Sequence, residues 1–199
     1  MTERALADRA VDAALDLAAR QPWSDVALAD VAGAAGVDLA AFDAAGIDAE
    51  DLLARIEARF DAAMLQGVSG VDRTERARDR LFEALMRRFD AMEPARAALR
   101  SIRTAQTSDP ALSLLAMRAR IRTANRALRA AGLDPSGLAG RLRSAGLARV
   151  IAKTEASWRA DGPDLSRTMA TLDQALSDAE GAARRLNSLF RMRRQTADA

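Results

Sequence analysis

Residues 10–53 read AVDAALDLAARQPWSDVALADVAGAAGVDLAAFDAAGIDAEDLL. Leu6, Ala10, Val11, Ala14 and Leu17 recur at helical spacing, which predicts a first helix over about 4–20. Pro22-Trp23-Ser24-Asp25 breaks it, and Trp23 is expected to pack under the next helices. A second helix spans about 27–35, with Leu28, Val31 and Ala35 facing inward. Gly36 supplies a tight turn before a short helix at about 38–45. Gly46 ends that helix, and Asp48 caps a fourth over about 49–66.

Beyond this stretch, residues 67–72 form a connector. Helices are expected over about 73–92 and 94–106. Asp109-Pro110 and Asp134-Pro135 combine a cap with a proline in the first turn, opening helices over about 110–131 and 136–160. Gly162-Pro163-Asp164 interrupts the chain, and a last helix or pair occupies about 164–194. The expectation is all-α, with nine or ten helices and two domains, residues 1–66 and 73–199.

The front stretch resembles the DNA-binding domain of TetR-type regulators in the order and spacing of five features. These are a long first helix, an aromatic after it, a helix ending in AGAAGV, a short third helix, and an acidic cap before the fourth. The resemblance implies a TetR-like fold: a helix-turn-helix domain, then a helical domain for ligand binding and dimerisation. Trp23, Leu28, Val31, Val37, Leu39, Phe42 and Ile47 are its expected core.

The surface that should meet DNA lacks the chemistry for it. DNA binding needs cations and hydroxyls against phosphate and polar side chains on base edges. The third helix instead reads Val37-Asp38-Leu39-Ala40-Ala41-Phe42-Asp43-Ala44-Ala45. No base lies between Arg20 and Arg55, while Asp25, Asp30, Asp38, Asp43, Asp48, Glu50 and Asp51 do. DNA carries about one negative charge per 1.7 Å of axis, so this face repels it. The helix-turn-helix is therefore expected to be degenerate, with Arg4 and Arg9 the cations that could act at its edges. Its acidic face suits either a basic protein partner or water.

The charge is unevenly spread. Residues 1–70 carry 13 acids and 5 bases, and residues 71–199 carry 15 acids and 25 bases. Arg118, Arg122, Arg126 and Arg129 form a stripe on one helix, suited to solvent or to an anionic surface. The chain has neither Cys nor His. That excludes disulfide and thiol chemistry, the usual zinc sites, and Ser-His-Asp or Cys-His catalysis. We expect no enzyme, no catalytic residues, no metal and no cofactor. No secretory signal and no spanning segment are expected, so the cytoplasm is the expected location.

The back of the chain carries a second resemblance. Residues 146–180 read GLARVIAKTEASWRADGPDLSRTMATLDQALSDAE. Leu147 through Trp158, Asp161, Pro163-Asp164-Leu165, Thr168 and Leu172-Asp173 resemble the C-terminal domain of the ubiquinone (coenzyme Q) biosynthesis accessory family, lipid-binding proteins of TetR-like fold. The resemblance spans about residues 79–178. It implies a non-enzymatic accessory protein that holds an isoprenoid or phospholipid in a helical cavity and serves a quinone-pathway hydroxylase. Few aromatics, and Gln174-Ala175 where bases are usual, depart from that family's pattern. The alternative is a ligand-responsive TetR-family transcriptional regulator that binds DNA as a homodimer.

A lipid cavity needs an apolar lining. The candidates are Leu85, Met86, Phe89, Met117, Ile121, Leu147, Val150, Ile151, Thr154 and Trp158, which an ordinary core would use equally well. The tail, residues 182–194, places Leu186, Leu189 and Phe190 among Arg184, Arg185 and Arg191. That pattern fits either peripheral contact at the inner face of a membrane or packing on protein. Gly137, Gly140, Ser144 and Gly146 permit a close helix approach, from a dimer mate or within the chain. TetR-like proteins dimerise through their last two long helices, so a homodimer is expected.

Overall fold

The computed structural model describes the backbone of residues 3–66 and 74–197, and side chains over 4–66 and 74–185. The expected connector at 67–72 falls outside the described residues. Among the described residues there are nine α-helices and no strand: α1 (Glu3–Arg20), α2 (Leu28–Ala34), α3 (Leu39–Ala44), α4 (Ala49–Leu65), α5 (Ala77–Met92), α6 (Arg96–Ser108), α7 (Pro110–Ala130), α8 (Gly137–Arg159) and α9 (Ser166–Ala197). Short 3-10 turns occupy Trp23–Asp25 and Glu93–Ala95. The last segment is one helix and not a pair. None of the described helices is long and apolar enough to cross a membrane.

The chain divides into two compact units, Met1–Gln66 with Arg87–Ala119, and Gly67–Met86 with Arg120–Ala199. The sequence pattern puts a boundary near residue 66. The first unit instead also takes in the end of α5, all of α6 and the start of α7.

In the first unit, α1 packs on α2, α4 and α6. Its buried face carries Leu6, Ala10, Val11, Ala14 and Ala18. The small alanines let α6 approach α1 closely. Trp23 is buried, and its backbone N–H donates to Ser101 Oγ on α6 at 2.7 Å. The Ser101 hydroxyl in turn donates to the Gln21 carbonyl at 3.1 Å. The α2–α3 turn depends on Gly36, whose φ of 69° lies in the left-handed region. It allows Val37 N–H to donate to the Ala32 carbonyl at 3.0 Å, closing the end of α2.

In the second unit, α8 and α9 fold back on each other across residues 160–165. Leu147, Val150, Ile151, Thr154 and Trp158 form the buried face of α8, and Leu165, Thr168, Leu172, Ala175 and Leu176 that of the α9 arm. Asp161 ties the turn down. Its Oδ2 accepts from Thr168 N at 2.6 Å and from the Thr168 hydroxyl at 2.8 Å. Arg80 of α5 donates twice to the Ala131 carbonyl just past α7, at 2.8 and 3.1 Å.

Candidate functional site

α3 is the short helix after the Gly36 turn, which the sequence resemblance makes the candidate DNA-reading helix. Asp38 caps it, accepting from Ala41 N at 2.9 Å. Phe42 anchors it from beneath and is fully buried, and Ile47 N–H donates to the Phe42 carbonyl at 2.9 Å. Asp48 then caps α4, accepting from Asp51 N at 2.7 Å. The scaffold is complete, and its outward face carries no cation. That face presents Leu39, Ala40, Asp43 and Ala44. Leu39, expected in the core, is instead 46% exposed. Its place directly after the cap points it off the scaffold, and Phe42 fills the interior position.

Asp30 of α2, Asp38 at the α3 cap, and Asp48 and Glu50 at the start of α4 are also exposed. Three of the first unit's cations are engaged elsewhere, while Arg20 is exposed. Arg9 donates to the Ala35 carbonyl, Arg55 pairs with Asp51, and Arg59 pairs with Asp12. Arg9, one of the two cations that could act at the edges of a DNA contact, therefore holds the α2 end together. Arg4 is exposed.

The ten candidate ligand residues divide between the units. Leu85, Met86, Ile121, Leu147, Val150, Ile151, Thr154 and Trp158 belong to the second; Phe89 and Met117 belong to the first. Leu85, Phe89, Ile151, Thr154 and Trp158 are fully enclosed, and Leu147 and Val150 nearly so. Met86 and Ile121 are half-buried. Met117 is 51% exposed and lines no interior. The Thr154 hydroxyl donates to the Val150 carbonyl at 2.9 Å, so it is satisfied by its own helix.

Sequence reasoning missed the polar anchors beside this face. Glu155 is buried on α8 and pairs with Arg120 of α7 at 3.0 Å. The Ser144 hydroxyl lies 2.5 Å from Asn125 Oδ1 and 2.9 Å from the Gly140 carbonyl. Glu155 falls four residues after Ile151 and eight after Leu147, and that spacing already places it on the inward stripe. An open groove of about 470 Å³ has no counterpart in the sequence pattern. It lies in the first unit, where Arg20, Trp23, Ser24, Ser101, Thr104 and Ser108 are among its lining residues.

Of the small residues on α8, Gly140 faces its own chain. A Cβ there would come within 2.1 Å of the Pro135 carbonyl carbon. Gly146 faces open space. The same helix exposes Leu138 at 73% and Leu142 at 50%, and α9 exposes Met169 at 40%. Arg118, Arg122 and Arg129 of the α7 stripe are exposed, and Arg126 is half-buried. In the tail, Arg184 and Arg185 are exposed, and Arg184 pairs with Glu180 at 2.7 Å. The side chains of Leu186, Leu189, Phe190 and Arg191 lie outside the described residues.

No family model and no curated protein matches the chain. Solved structures do. The chain is similar to a TetR transcriptional regulator from Nitrosomonas europaea ATCC 19718, with a TM-score of 0.69 and 23% identity over 87% of this chain and 97% of that one. It is also similar to a TetR transcriptional regulator from Rhodococcus sp. RHA1, with a TM-score of 0.66 and 16% identity over 88% and 96%. The order of the nine helices among the described residues, the capped α2–α3 turn and these likenesses lead to one conclusion: the chain has the TetR-like fold.

Proposed function

We propose that the chain is a ligand-binding, non-enzymatic regulatory protein of the TetR type that works as a homodimer and does not read duplex DNA through α3. The α3 face carries this reading: its only polar side chain among Leu39, Ala40, Asp43 and Ala44 is an acid. A helix face that neutralises no phosphates releases no counterions, and that release supplies essentially all non-specific affinity. The exposed Leu138 and Leu142 of α8 and Met169 of α9 support association of two copies through this helix pair. A low-salt gel shift on DNA from the protein's own promoter region tests the proposal. Tight, salt-sensitive retardation would overturn it.

The narrower form of this proposal is a lipid-binding accessory protein of ubiquinone biosynthesis. Its support is the resemblance over Leu147–Asp173 and the apolar face of α8, where the Arg120–Glu155 pair adds one charged anchor. Gentle purification, lipid extraction and mass spectrometry test it. An isoprenoid or phospholipid at near-stoichiometric amount supports this form. Ligand-free protein that also ignores anionic and isoprenoid-containing vesicles removes it, and with it the peripheral membrane contact.

The competing reading is a ligand-responsive transcriptional repressor. The likeness to two structures described as TetR transcriptional regulators favours it. The same gel shift separates the readings, because only a repressor needs the DNA contact.

A further inference from the structure

We infer that a buried clamp of four charges makes α4, the end of α5 and α6 one mechanical body, so that α4 cannot swing against α6. Glu57 of α4 is the hub. Its Oε2 accepts from Arg88 Nη2 of α5 at 2.5 Å, and its Oε1 accepts from Arg103 Nη2 of α6 at 2.7 Å. One turn further along α4, Asp61 Oδ1 accepts from Arg88 Nε at 3.1 Å. Arg103 is completed by Gln106, whose Oε1 accepts from Arg103 Nη1 at 2.6 Å. Arg88, Asp61 and Arg103 are all buried, and the Glu57 side chain is only 12% exposed.

Two guanidinium groups and two carboxylates leave the cluster formally neutral, which is what allows it to be buried. Each ion has left water, and it is tolerated only while its partner stays within hydrogen-bond range. Glu57 uses one oxygen for each neighbouring helix. A slide of α4 of even part of a helical turn would strip at least one arginine of its partner in a site closed to water. Two further ties join the first unit, one between α5 and the end of α4 and one between α6 and the end of α1. Arg87 Nη1 donates to the Gln66 carbonyl at 2.9 Å, and Ser101 joins α6 to the end of α1 through Gln21 and Trp23. The grouping of residues 87–119 with 1–66 in one unit is the same relation seen at the level of the fold. In this chain the front helices are held as fixed scaffold, whatever the output of the protein.

The absence of cysteine makes the test clean, because two introduced cysteines are the only labelling sites. Spin labels at Ala62→Cys on α4 and Thr107→Cys on α6, both exposed, report motion of α4 against α6. The clamp predicts one narrow distance distribution in the full-length chain. Adding Glu57→Gln leaves Arg88 paired with Asp61 and Arg103 with the neutral Gln106, and should broaden the distribution about twofold or more. Hydrogen exchange in α4 and α6 should then accelerate together, by about a hundredfold, since breaking a buried pair shifts local opening by at least that factor. Removing the exposed Arg59–Asp12 pair with Arg59→Gln should change neither measurement. A broad or two-peaked distribution without Glu57→Gln overturns the clamp, as does acceleration confined to α4. If Glu57→Gln fails to fold, the width in the clamped protein decides alone.

Discussion

Replacing Trp158 with alanine tests whether the α8 face is packed core or the wall of an open cavity. Trp158 is 1% exposed, beside Thr154 and Ile151 at 0%. A buried indole removes roughly 150–250 Å² from water. At about 25 cal/mol per Å² that is roughly 4–6 kcal/mol, an upper estimate because unfolded chains are partly collapsed. The measured range for Trp→Ala in packed cores is about 3–5 kcal/mol. Against total stabilities of about 5–15 kcal/mol, such a loss is large. Urea titration followed by circular dichroism should show the midpoint falling by about 2 M at an unchanged slope near 2 kcal/mol/M. Both proteins must be compared at one concentration, because dimerisation adds mass-action stability. The chain has two tryptophans and no tyrosine, so emission from Trp158→Ala comes from Trp23 in the first unit alone. A cost below about 1 kcal/mol would refute the packing argument, since only an indole facing empty space is lost so easily.

Asp161→Ala should lower the melting temperature most at neutral pH. Burial pushes the Asp161 carboxyl up, but hydrogen bonds from the Thr168 hydroxyl and from backbone N–H groups outweigh it and hold the carboxyl below its ordinary range. A depressed carboxylate stabilises the fold above its unfolded pKa of about 3.9 and loses that contribution as pH falls through the folded value. The gap between wild type and Asp161→Ala should therefore be widest at pH 7 and close as the pH drops below about 4; a gap that grows on acidification would contradict this. Asp38→Ala removes the cap of α3 and should cost about 1 kcal/mol in chemical denaturation. Ser101→Ala deletes the hydroxyl shared by Trp23 N–H and the Gln21 carbonyl, and should cost about 1–2 kcal/mol, read from the Trp23 emission transition.

Most helix positions are legible because they rest on local signals. Asp109 does cap α7, accepting from Ala111 N at 2.7 Å. Asp134-Pro135 resembles it in sequence and behaves differently. Asp134 accepts from the Ser136 N–H at 2.8 Å and from its hydroxyl, and Gly137 takes a left-handed φ of 65°, so α8 starts two residues after Pro135. A dipeptide cannot reveal that, because the turn is set by the glycine two residues beyond. Trp23 and Phe42 are core, as their sequence context implies, since each has nowhere else to pack. Leu39 is not, because a six-residue helix has too few turns for periodicity to choose its inward side. The clamp is invisible in the sequence for a different reason. Glu57, Asp61, Arg88 and Arg103 each sit in an amphipathic helix, where a charge ordinarily marks the solvated face. Only the approach of three successive helices turns those four positions into an interior. The acidity of the α3 face needs no structure to be seen, but the engagement of Arg9, Arg55 and Arg59 does.

Fluorescence anisotropy of a labelled random duplex, titrated with the full-length protein at several low salt concentrations, tests the central claim most directly. With no cation on the α3 face, protein whose exposed α7 stripe is removed by Arg118→Gln, Arg122→Gln and Arg129→Gln should bind more weakly than about 10⁻⁴ M, and its plot of log affinity against log salt should be flat. Binding of that protein at about 10⁻⁶ M or tighter, with a slope near −0.9 for each phosphate engaged, would contradict the account.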